Sequence, residues 1–367
     1  MNKLKILQII GSMNAGGVES FVMSYFRELH ELCEFTFLCF DDSLVIPKEE
    51  IESLGGKVII VPHVKHLHAF NKALTKVFKE NHFDIVHSHL NTLSVFPLRV
   101  AKKCKQPIRI AHSHSISSKK EWKRHLAKSI LKTFSKTYSN VYFSCSELTG
   151  RYQFGNKAFD KGQVTVIKNA IKTSRFEFNE SYRKEIRKEL SLNENDYVIG
   201  TLGRFFGTKN HQYVLKLAKD NQDIKFIIVG NGPLEVEYNA FIRENNLNNI
   251  QIIVPDPNKE IARYYSAIDM FILPSLYEGF PLSSLEAQVN GLYIIYSESV
   301  PKEGFITGYG EFLPITDEGL ALWKKSFHES HPRNNKLADV VREHGYDIKD
   351  AAKALYNKYL ELIETHK

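Results

Sequence analysis

The stretch "LKILQIIGSMNAGGVESF", residues 4–21, carries the repeating unit from which the fold is predicted. An apolar run of strand length comes first, a glycine-containing loop follows, and an amphipathic helix begins after the loop. Further β-rich runs separated by helical lengths are CEFTFLCF, KVIIVP, DIVHSH, RIAHSH and NVYFSC in the first half and YVIGTLG, IKFIIVG, IQIIVP, MFILPS and YIIYSE in the second. Strands that alternate with helices form parallel sheets covered on both faces, so the two series predict an α/β protein with two doubly wound domains.

The length of 367 residues also favours two domains, because a single hydrophobic core rarely grows that large. We predict a first domain at residues 1–170 and a second at residues 171–346. A final helix is predicted at residues 347–367. Its apolar residues recur at three-to-four spacing, so it must pack on another element, and we predict that it packs back toward the first domain. These apolar residues are Ala351, Leu355, Tyr359 and Leu362.

The composition is that of a globular protein, with 43% hydrophobic and 25% charged residues. The sequence contains no apolar run long enough to span a membrane, and Gln8 and Gly11 interrupt the first apolar stretch too early for a signal peptide. The four cysteines form no CxxC pair and lack the spacing of a disulfide framework, so core thiols are expected. A cytoplasmic protein is therefore predicted.

The positive charge is concentrated in the first half of the chain. Residues 1–170 contain 25 lysines and arginines against 14 aspartates and glutamates, whereas the remainder contains 24 against 28. This excess favours an anionic partner on the first domain, namely a membrane surface, a phosphorylated substrate or a nucleic acid. Nucleic acid is disfavoured, because the sequence shows no DNA-reading motif and no interleaving of aromatic and basic residues typical of RNA binding.

The segment "SKKEWKRHLAKSILKTFSK", residues 118–136, contains seven lysines or arginines and one glutamate beside an apolar stripe. A basic amphipathic helix is typical of segments that lie on an anionic membrane surface. An ordinary helix with a solvated charged face has the same pattern. Both interpretations remain open at this point.

Loops that follow predicted strands are the expected ligand-binding segments, because doubly wound sheets bind ligands at the carboxyl ends of their strands. The loop within residues 11–21 offers glycine backbone and a helix N-terminus to an anion, although a tight turn without a ligand explains it equally well. It is not GxGxxG and lacks the P-loop lysine, which disfavours NAD binding and ATP hydrolysis.

In the second series, "LGRFFGTKNH" places Arg204 and Lys209 on one loop, and "VGNGPLE" places Gly230 and Gly232 after the next strand. An arginine can bind two phosphate oxygens at once and a lysine is a mobile point charge, so the pair can neutralise a leaving diphosphate where other enzymes use Mg²⁺. A solvated surface pair is the alternative. The two glycines permit close approach of backbone.

The stretch "YEGFPLSSLEAQ", residues 277–288, contains two glutamates around a predicted helix start. Glu278 lies on the loop before the helix and Glu286 projects from its second turn. The amides of Leu282 and Ser283 lie between them at the start of the helix, where backbone donors have no helical partner. This arrangement predicts an anion site flanked by two acceptors suited to hydroxyl groups.

Taken in order, these motifs resemble those of the retaining glycosyltransferases of family four, which have the two-domain GT-B fold. The residues that carry the resemblance are "GGVE" (16–19), "GR" with "KN" (203–204 and 209–210), "VGNGP" (229–233) and Glu278-x7-Glu286. The resemblance covers nearly the whole chain. It implies two Rossmann-like domains that face a central cleft, and transfer of a sugar from a nucleoside diphosphate sugar to an acceptor with retained anomeric configuration.

The resemblance also implies which residues bind each part of the donor. The diphosphate is assigned to Gly17, Arg204, Lys209, Leu282 and Ser283. The nucleotide and its ribose are assigned to Glu286, Gly230 and Gly232. The donor sugar is assigned to Glu278, Gly279, Phe280 and Pro281. The chain contains no Asp-x-Asp motif, so a metal-independent reaction without a cofactor is expected.

The catalytic residues implied by the resemblance are His114 in "RIAHSHS" and Glu278. His112 on the same strand end, and His87 or His89 in "VHSH", are alternatives to His114. Residues two apart on a strand share a face, so the sequence does not decide which member of each pair enters the cleft.

The resemblance points to bacterial capsule or exopolysaccharide assembly. The expected partners are a nucleoside diphosphate sugar, with UDP-sugars first, a saccharide or lipid-linked acceptor, and an anionic membrane at the inner face of the cell membrane. A nucleotide-sugar 2-epimerase of the same fold and a non-catalytic nucleotide-sugar-binding protein are the alternatives. Tyr293 lies near a position where many relatives have proline. This difference affects none of the residues predicted to be catalytic.

Overall fold

A computed structural model describes residues 3–14, 16–115, 131–256 and 259–366. The chain divides into two compact units. The first unit comprises Met1–Ala170 and Ile348–Lys367, and the second comprises Ile171–Asp347. Most of the basic segment predicted at 118–136 lies outside the described residues.

The described residues of the first unit form a seven-stranded, all-parallel sheet in the order β3-β2-β1-β4-β5-β6-β7. The strands are Leu4–Gly11 (β1), Cys33–Phe40 (β2), Lys57–Val61 (β3), Ile85–Ser88 (β4), Ile108–Ser113 (β5), Val141–Ser144 (β6) and Val164–Val166 (β7).

The described residues of the second unit form a six-stranded, all-parallel sheet in the order β10-β9-β8-β11-β12-β13. The strands are Val198–Leu202 (β8), Lys225–Val229 (β9), Ile250–Ile253 (β10), Met270–Leu273 (β11), Tyr293–Ser297 (β12) and Gly310–Leu313 (β13). Both sheets follow the strand order of doubly wound folds, so the predicted fold class is confirmed.

Helices connect the strands of both sheets. The α-helices of the described residues are Gly17–Leu29 (α1), Lys48–Ser53 (α2), Leu67–Glu80 (α3), Val95–Lys103 (α4), Ser135–Tyr138 (α5), Glu147–Phe154 (α6), Asn156–Asp160 (α7), Thr173–Phe176 (α8), Glu180–Glu189 (α9), His211–Asp220 (α10), Glu235–Glu244 (α11), Ala262–Ala267 (α12), Leu282–Val289 (α13), Gly319–Phe327 (α14), Leu337–Glu343 (α15) and Ile348–Thr365 (α16). Short 3₁₀ turns occupy Asn91–Ser94, Gly207–Lys209 and Lys302–Gly304. Within the described residues, no helix combines the length and the apolar character needed to span a bilayer.

The sheet of the first unit has an apolar layer on each face. Phe26 of α1 and Leu355 of α16 lie in one layer, and Phe70 of α3 and Leu98 of α4 lie in the other. Parallel strands are buried on both faces, which explains why their sequences read as continuous apolar runs. Gln8 in the middle of β1 departs from this pattern, because it is polar and only 5% exposed.

Each sheet has a switch point where its central strands pair. Strand β1 lies between β2 and β4, and strand β8 lies between β9 and β11. In doubly wound sheets a crevice forms at the carboxyl ends of the strands at this point. The loops that follow β1, β4, β8 and β11 are therefore placed to contact a ligand.

Two glycines allow the loops after β8 and β9 to approach each other. A Cβ at Gly230 would lie 2.0 Å from the carbonyl oxygen of Gly203, and a Cβ at Gly232 would lie 2.8 Å from the amide nitrogen of Phe205. Both contacts are with backbone, so they cannot be relieved by a side-chain rotation. The roles of Gly230 and Gly232 in nucleotide binding stay a prediction.

We expect Gly230→Ala to destabilise the protein, because the new methyl group forces the backbone at Gly203 to move. The loss should be on the order of 3 kcal/mol in free energy of unfolding. Gly207→Ala, on the neighbouring loop after β8, is the matched control, since a Cβ there meets nothing within 4 Å. Chemical denaturation of both variants measures the difference, and equal stabilities would contradict the packing argument.

Candidate active site

Helix α13 begins directly after Pro281. The backbone amides of its first turn have no acceptor within the helix. The amides of Ser284 and Leu285 both donate to the carbonyl of Pro281, at 3.1 and 3.2 Å. The amides of Leu282 and Ser283 therefore precede the first helical hydrogen bonds. Among the described residues, the buried hydroxyl of Ser283 has no hydrogen-bond partner. Donors arranged in this way suit an anion.

Glu278, on the loop before α13, is held by two donors. The Lys209 ammonium group and the Ser275 hydroxyl each donate to its Oε1 atom at 2.7 Å. Glu278 is only 8% exposed, so this ion pair is shielded from water and fixes the carboxylate. The structure thus brings together Lys209, predicted at the diphosphate, and Glu278, predicted at the sugar.

Glu286, in the second turn of α13, accepts a hydrogen bond from the hydroxyl of Tyr265 at 2.5 Å. The residue keeps some exposed surface, but protein atoms surround its carboxyl group. This desolvation raises the pKa of Glu286 to about 7, against the opposing effects of the Tyr265 hydrogen bond and of the Arg175 and Lys209 charges. Lys209 therefore acts electrostatically on both glutamates of the motif.

The other residues predicted to bind the donor lie on loops or at helix ends. Arg204 is exposed and its guanidinium lies over the ring of Phe206, 4.7 Å from the centroid. Phe280 stacks on Tyr346 with 5.5 Å between ring centroids, and Pro281 is buried. Gly279 lies between Glu278 and Phe280 and is partly buried.

Gly17 belongs to the first unit, whereas the other residues predicted at the diphosphate belong to the second. It begins helix α1, and a Cβ there would meet nothing within 4 Å. The loop before it is organised by Glu19, whose carboxylate accepts the amides of Asn14 at 2.8 Å and Gly16 at 3.1 Å. Space beside the backbone of Gly17 is therefore open.

The four candidate histidines of the first unit lie together on neighbouring strand ends. His87 lies in β4 and His89 directly follows it, His112 lies in β5 and His114 directly follows it, and all four are buried. The rings of His112 and His114 stack with centroids 4.0 Å apart, and those of His87 and His89 with centroids 4.2 Å apart. His114 is 8% exposed and is the least buried of the four.

Hydrogen bonds join the histidine rings across the two strands. His87 Nε2 lies 3.0 Å from His112 Nδ1, and His89 Nδ1 lies 2.8 Å from His114 Nε2. The members of each pair share a face of the sheet, as the strand period predicts. The four histidines that the sequence left as alternatives therefore form one contiguous cluster.

The sequence matches two family profiles that together cover most of the chain. The profile "Glycosyltransferase Family 4" matches residues 15–175, and "Glycosyl transferases group 1" matches residues 182–308. The chain belongs to the group 1 glycosyltransferases.

Individual relatives of this glycosyltransferase agree with the family. EpsF of Bacillus subtilis is 28% identical over 370 residues, which are 97% of this chain and 96% of EpsF. The UDP-Gal:alpha-D-GlcNAc-diphosphoundecaprenol alpha-1,3-galactosyltransferase of Escherichia coli is 29% identical over 61% of this chain and 60% of its own length. Among solved structures, HepE of Anabaena in complex with UDP and glucose superposes with a TM-score of 0.77 and 17% identity, over 97% of this chain and 99% of HepE. The last match shows the shared GT-B fold.

Four residues at these sites of the glycosyltransferase were missed by sequence reasoning. They are Ser275, Tyr265, Gln8 and Tyr359. Only Gln8 gives a local signal, because a polar residue interrupts an otherwise apolar strand. The other three are recognisable only from the side chains that they contact in the folded chain.

The raised pKa of Glu286 predicts how Glu286→Gln changes stability with pH. Between the ordinary value of 4.5 and about 7, the folded chain holds a proton that the unfolded chain has lost. Ionisation of Glu286 above this window therefore destabilises the fold by at most about 3 kcal/mol. We expect Glu286→Gln to raise the melting temperature above pH 7 and to lose this advantage as the pH falls through the window. Melting curves at pH 5 and pH 8 measure the difference, and an equal shift at both pH values would contradict it.

Proposed function

We propose that this glycosyltransferase moves a sugar from a UDP-sugar to an acceptor hydroxyl with retained anomeric configuration. The contact that carries the proposal is the Lys209–Glu278 ion pair, since it joins the residue predicted at the diphosphate to the residue predicted at the sugar. The Escherichia coli relative, named for UDP-Gal and an alpha-1,3 product, supports a UDP donor.

The second unit supplies the charges that the leaving group needs. As the bond from the sugar to the diphosphate breaks, negative charge grows on the departing phosphate oxygen. Arg204, Lys209 and the amides of Leu282 and Ser283 stabilise that charge, and each contact lowers the barrier by about 3 kcal/mol. Because cations and a helix N-terminus perform this role, we propose that the reaction is metal-independent.

Glu278 and Glu286 bind hydroxyl groups at the two ends of the donor. Ser275 and Lys209 fix the carboxylate of Glu278, so it can accept hydroxyls of the donor sugar in a defined position. Glu286, in the second turn of α13, accepts hydrogen bonds from the ribose hydroxyls. His114 of the first unit acts at the reacting centre, as the family resemblance implies.

We propose that the acceptor attacks from the face that the diphosphate leaves. The bond between the anomeric carbon and the phosphate oxygen breaks, and a bond to the acceptor oxygen forms on the same side. The departing phosphate oxygen takes the acceptor proton, so both charge and atoms balance. Glu278 is held in an ion pair and is assigned to hydroxyl binding, so it is not the attacking nucleophile.

We propose a lipid-diphosphate-linked saccharide as acceptor, in the assembly of a bacterial surface polysaccharide at the inner membrane face. The relative named for a diphosphoundecaprenol acceptor supports this choice. The excess of lysine and arginine in residues 1–170 is complementary to such an anionic lipid and to the membrane that holds it.

We expect transfer of sugar from one member of a panel of UDP-sugars to a synthetic lipid-diphosphate saccharide, with NMR showing the donor's anomeric configuration in the product. Lys209→Ala should lower kcat on the order of a hundredfold, because it removes charge from the transition state. Glu278→Gln should lower turnover as well, since the amide presents a donor where a hydroxyl needs an acceptor.

Lys216→Ala is the matched control, because Lys216 forms an exposed ion pair with Asp317 elsewhere in the second unit. It should retain wild-type turnover. Full activity of Glu278→Gln with the true substrate would contradict the assigned role. Formation of a 2-epimer from the nucleotide sugar without acceptor would favour the epimerase alternative, and nucleotide-sugar binding without turnover would favour a binding protein.

Membrane contact is tested separately by sedimentation with vesicles. We expect binding to phosphatidylglycerol vesicles that weakens as salt is raised, because exposed charges are screened. Phosphatidylcholine vesicles are the control and should bind much less protein. Absence of binding to the anionic vesicles at low salt would contradict the proposed contact.

A further inference from the structure

We propose that Gln8 and Tyr359 are positioning residues that fix the tautomer of His114, so that its Nδ1 atom carries a lone pair and accepts a hydrogen bond. The inference rests on the proposed role of His114 in the transfer reaction. It follows from a chain of hydrogen bonds that joins six buried side chains of the first unit. They are His114, His89, Gln8, Tyr359, His87 and His112.

Gln8 is the centre of this network because its amide has one acceptor and one donor end. The Oε1 atom of Gln8 lies 2.6 Å from His89 Nε2, so the histidine must donate there. Burial raises the pKa of Tyr359, whereas its hydrogen bond with the Gln8 side chain acts to lower it, which identifies the Gln8 amide nitrogen as the donor and the phenol oxygen as the acceptor. The orientation of one amide therefore sets the direction of hydrogen bonds on both sides.

All four imidazoles are neutral, which allows each tautomer to be deduced. Burial lowers the pKa of His87, His89 and His112 well below the ordinary range, and the neighbouring rings lower it further. Burial lowers the pKa of His114 to about 3. A neutral imidazole has one donor nitrogen and one acceptor nitrogen, so assigning either atom assigns the other.

On one side of Gln8, His89 links the amide to His114. Because His89 donates from Nε2, its Nδ1 atom is an acceptor. That atom lies 2.8 Å from His114 Nε2, so His114 donates from Nε2. The Nδ1 atom of His114 is left as an acceptor, which suits a hydroxyl group of a bound sugar and not a phosphate oxygen.

On the other side of Gln8, Tyr359 and His87 link the amide to His112. The hydroxyl of Tyr359 receives from Gln8 and donates to His87 Nδ1 at 2.8 Å. His87 then donates from Nε2 to His112 Nδ1 at 3.0 Å, which leaves the proton of His112 on Nε2. That buried Nε2 atom has no hydrogen-bond partner among the described residues. All hydrogen bonds of the network thus donate in one direction along the chain of side chains, from His114 to His112.

Tyr359 lies on helix α16, near the C-terminus, whereas Gln8 lies on the first strand. Because the hydroxyl of Tyr359 is the only part of its side chain that takes part in the network, Tyr359→Phe removes one hydrogen bond and keeps the packed ring. Tyr25→Phe is the matched control. Tyr25 is also buried in the first unit, but its hydroxyl donates to the backbone carbonyl of Lys168 at 2.7 Å.

The test is ¹⁵N NMR of the full-length protein labelled at histidine, which reports which ring nitrogen holds the proton. We expect His114 to be protonated on Nε2 in the wild type and in Tyr25→Phe. In Gln8→Leu and Tyr359→Phe, we expect a mixture of tautomers at His114 and a fall in kcat of about tenfold, because part of the population presents a donor in place of an acceptor. Two variants are used because either one alone can affect folding.

Two results would overturn the inference. One is an unchanged His114 tautomer in both folded variants. The other is stoichiometric zinc in the purified protein, since ring nitrogens of His87, His89 and His112 lie within 4.8 Å of one another and a metal there would displace the hydrogen bonds. Full turnover of His114→Ala would instead contradict the proposed role of His114. Failure of the positioning and failure of the function are therefore distinguishable.

Discussion

Parallel pairing of the central strands is the constraint that brings together both the four histidines of the first unit and the Lys209–Glu278 pair of the second. Because neighbouring strands run in the same direction, their carboxyl ends lie at one edge of each sheet. In the first unit this brings His87 and His89, at the end of β4, beside His112 and His114, at the end of β5. In the second unit it brings the loop after β8, with Lys209, to the loop after β11, with Glu278. Residues about 70 positions apart in sequence thereby make direct contact.

The sequence was sufficient to predict the fold class and the central strands, because strands buried on both faces are continuous apolar runs between glycine loops. Strands Val164–Val166 and Gly310–Leu313 were not predicted. Each is short and lies at the edge of its sheet, where only one neighbour pairs with it. The opposite edge strands, KVIIV (57–61) and IQII (250–253), are apolar runs and were predicted, whereas VTV and GEFL are too short or too polar to give such a signal.

The sequence also predicted which motifs follow strands, but not the side chains that hold them. Tyr359 was predicted as an apolar residue of the last helix, and the packing of its ring agrees with that. Its hydroxyl contacts His87, which is 272 residues away in sequence, and no local pattern contains that pairing. Ser275 and Tyr265 are similar cases, because an ordinary serine and an ordinary tyrosine become important through one contact each with Glu278 and Glu286. Predicting such partners requires the tertiary fold.

The charges of the second unit show how one lysine can serve two proposed roles. Lys209 has three donor hydrogens, and the ion pair with Glu278 uses one of them. The remaining two are available to a diphosphate, so the carboxylate of Glu278, proposed to bind the sugar, need not be released when the donor binds. Burial raises the pKa of Glu286 to about 7, although the positive charge of Lys209 acts to lower it. Near neutral pH the motif therefore carries less than two full negative charges, which reduces the repulsion that an incoming diphosphate meets.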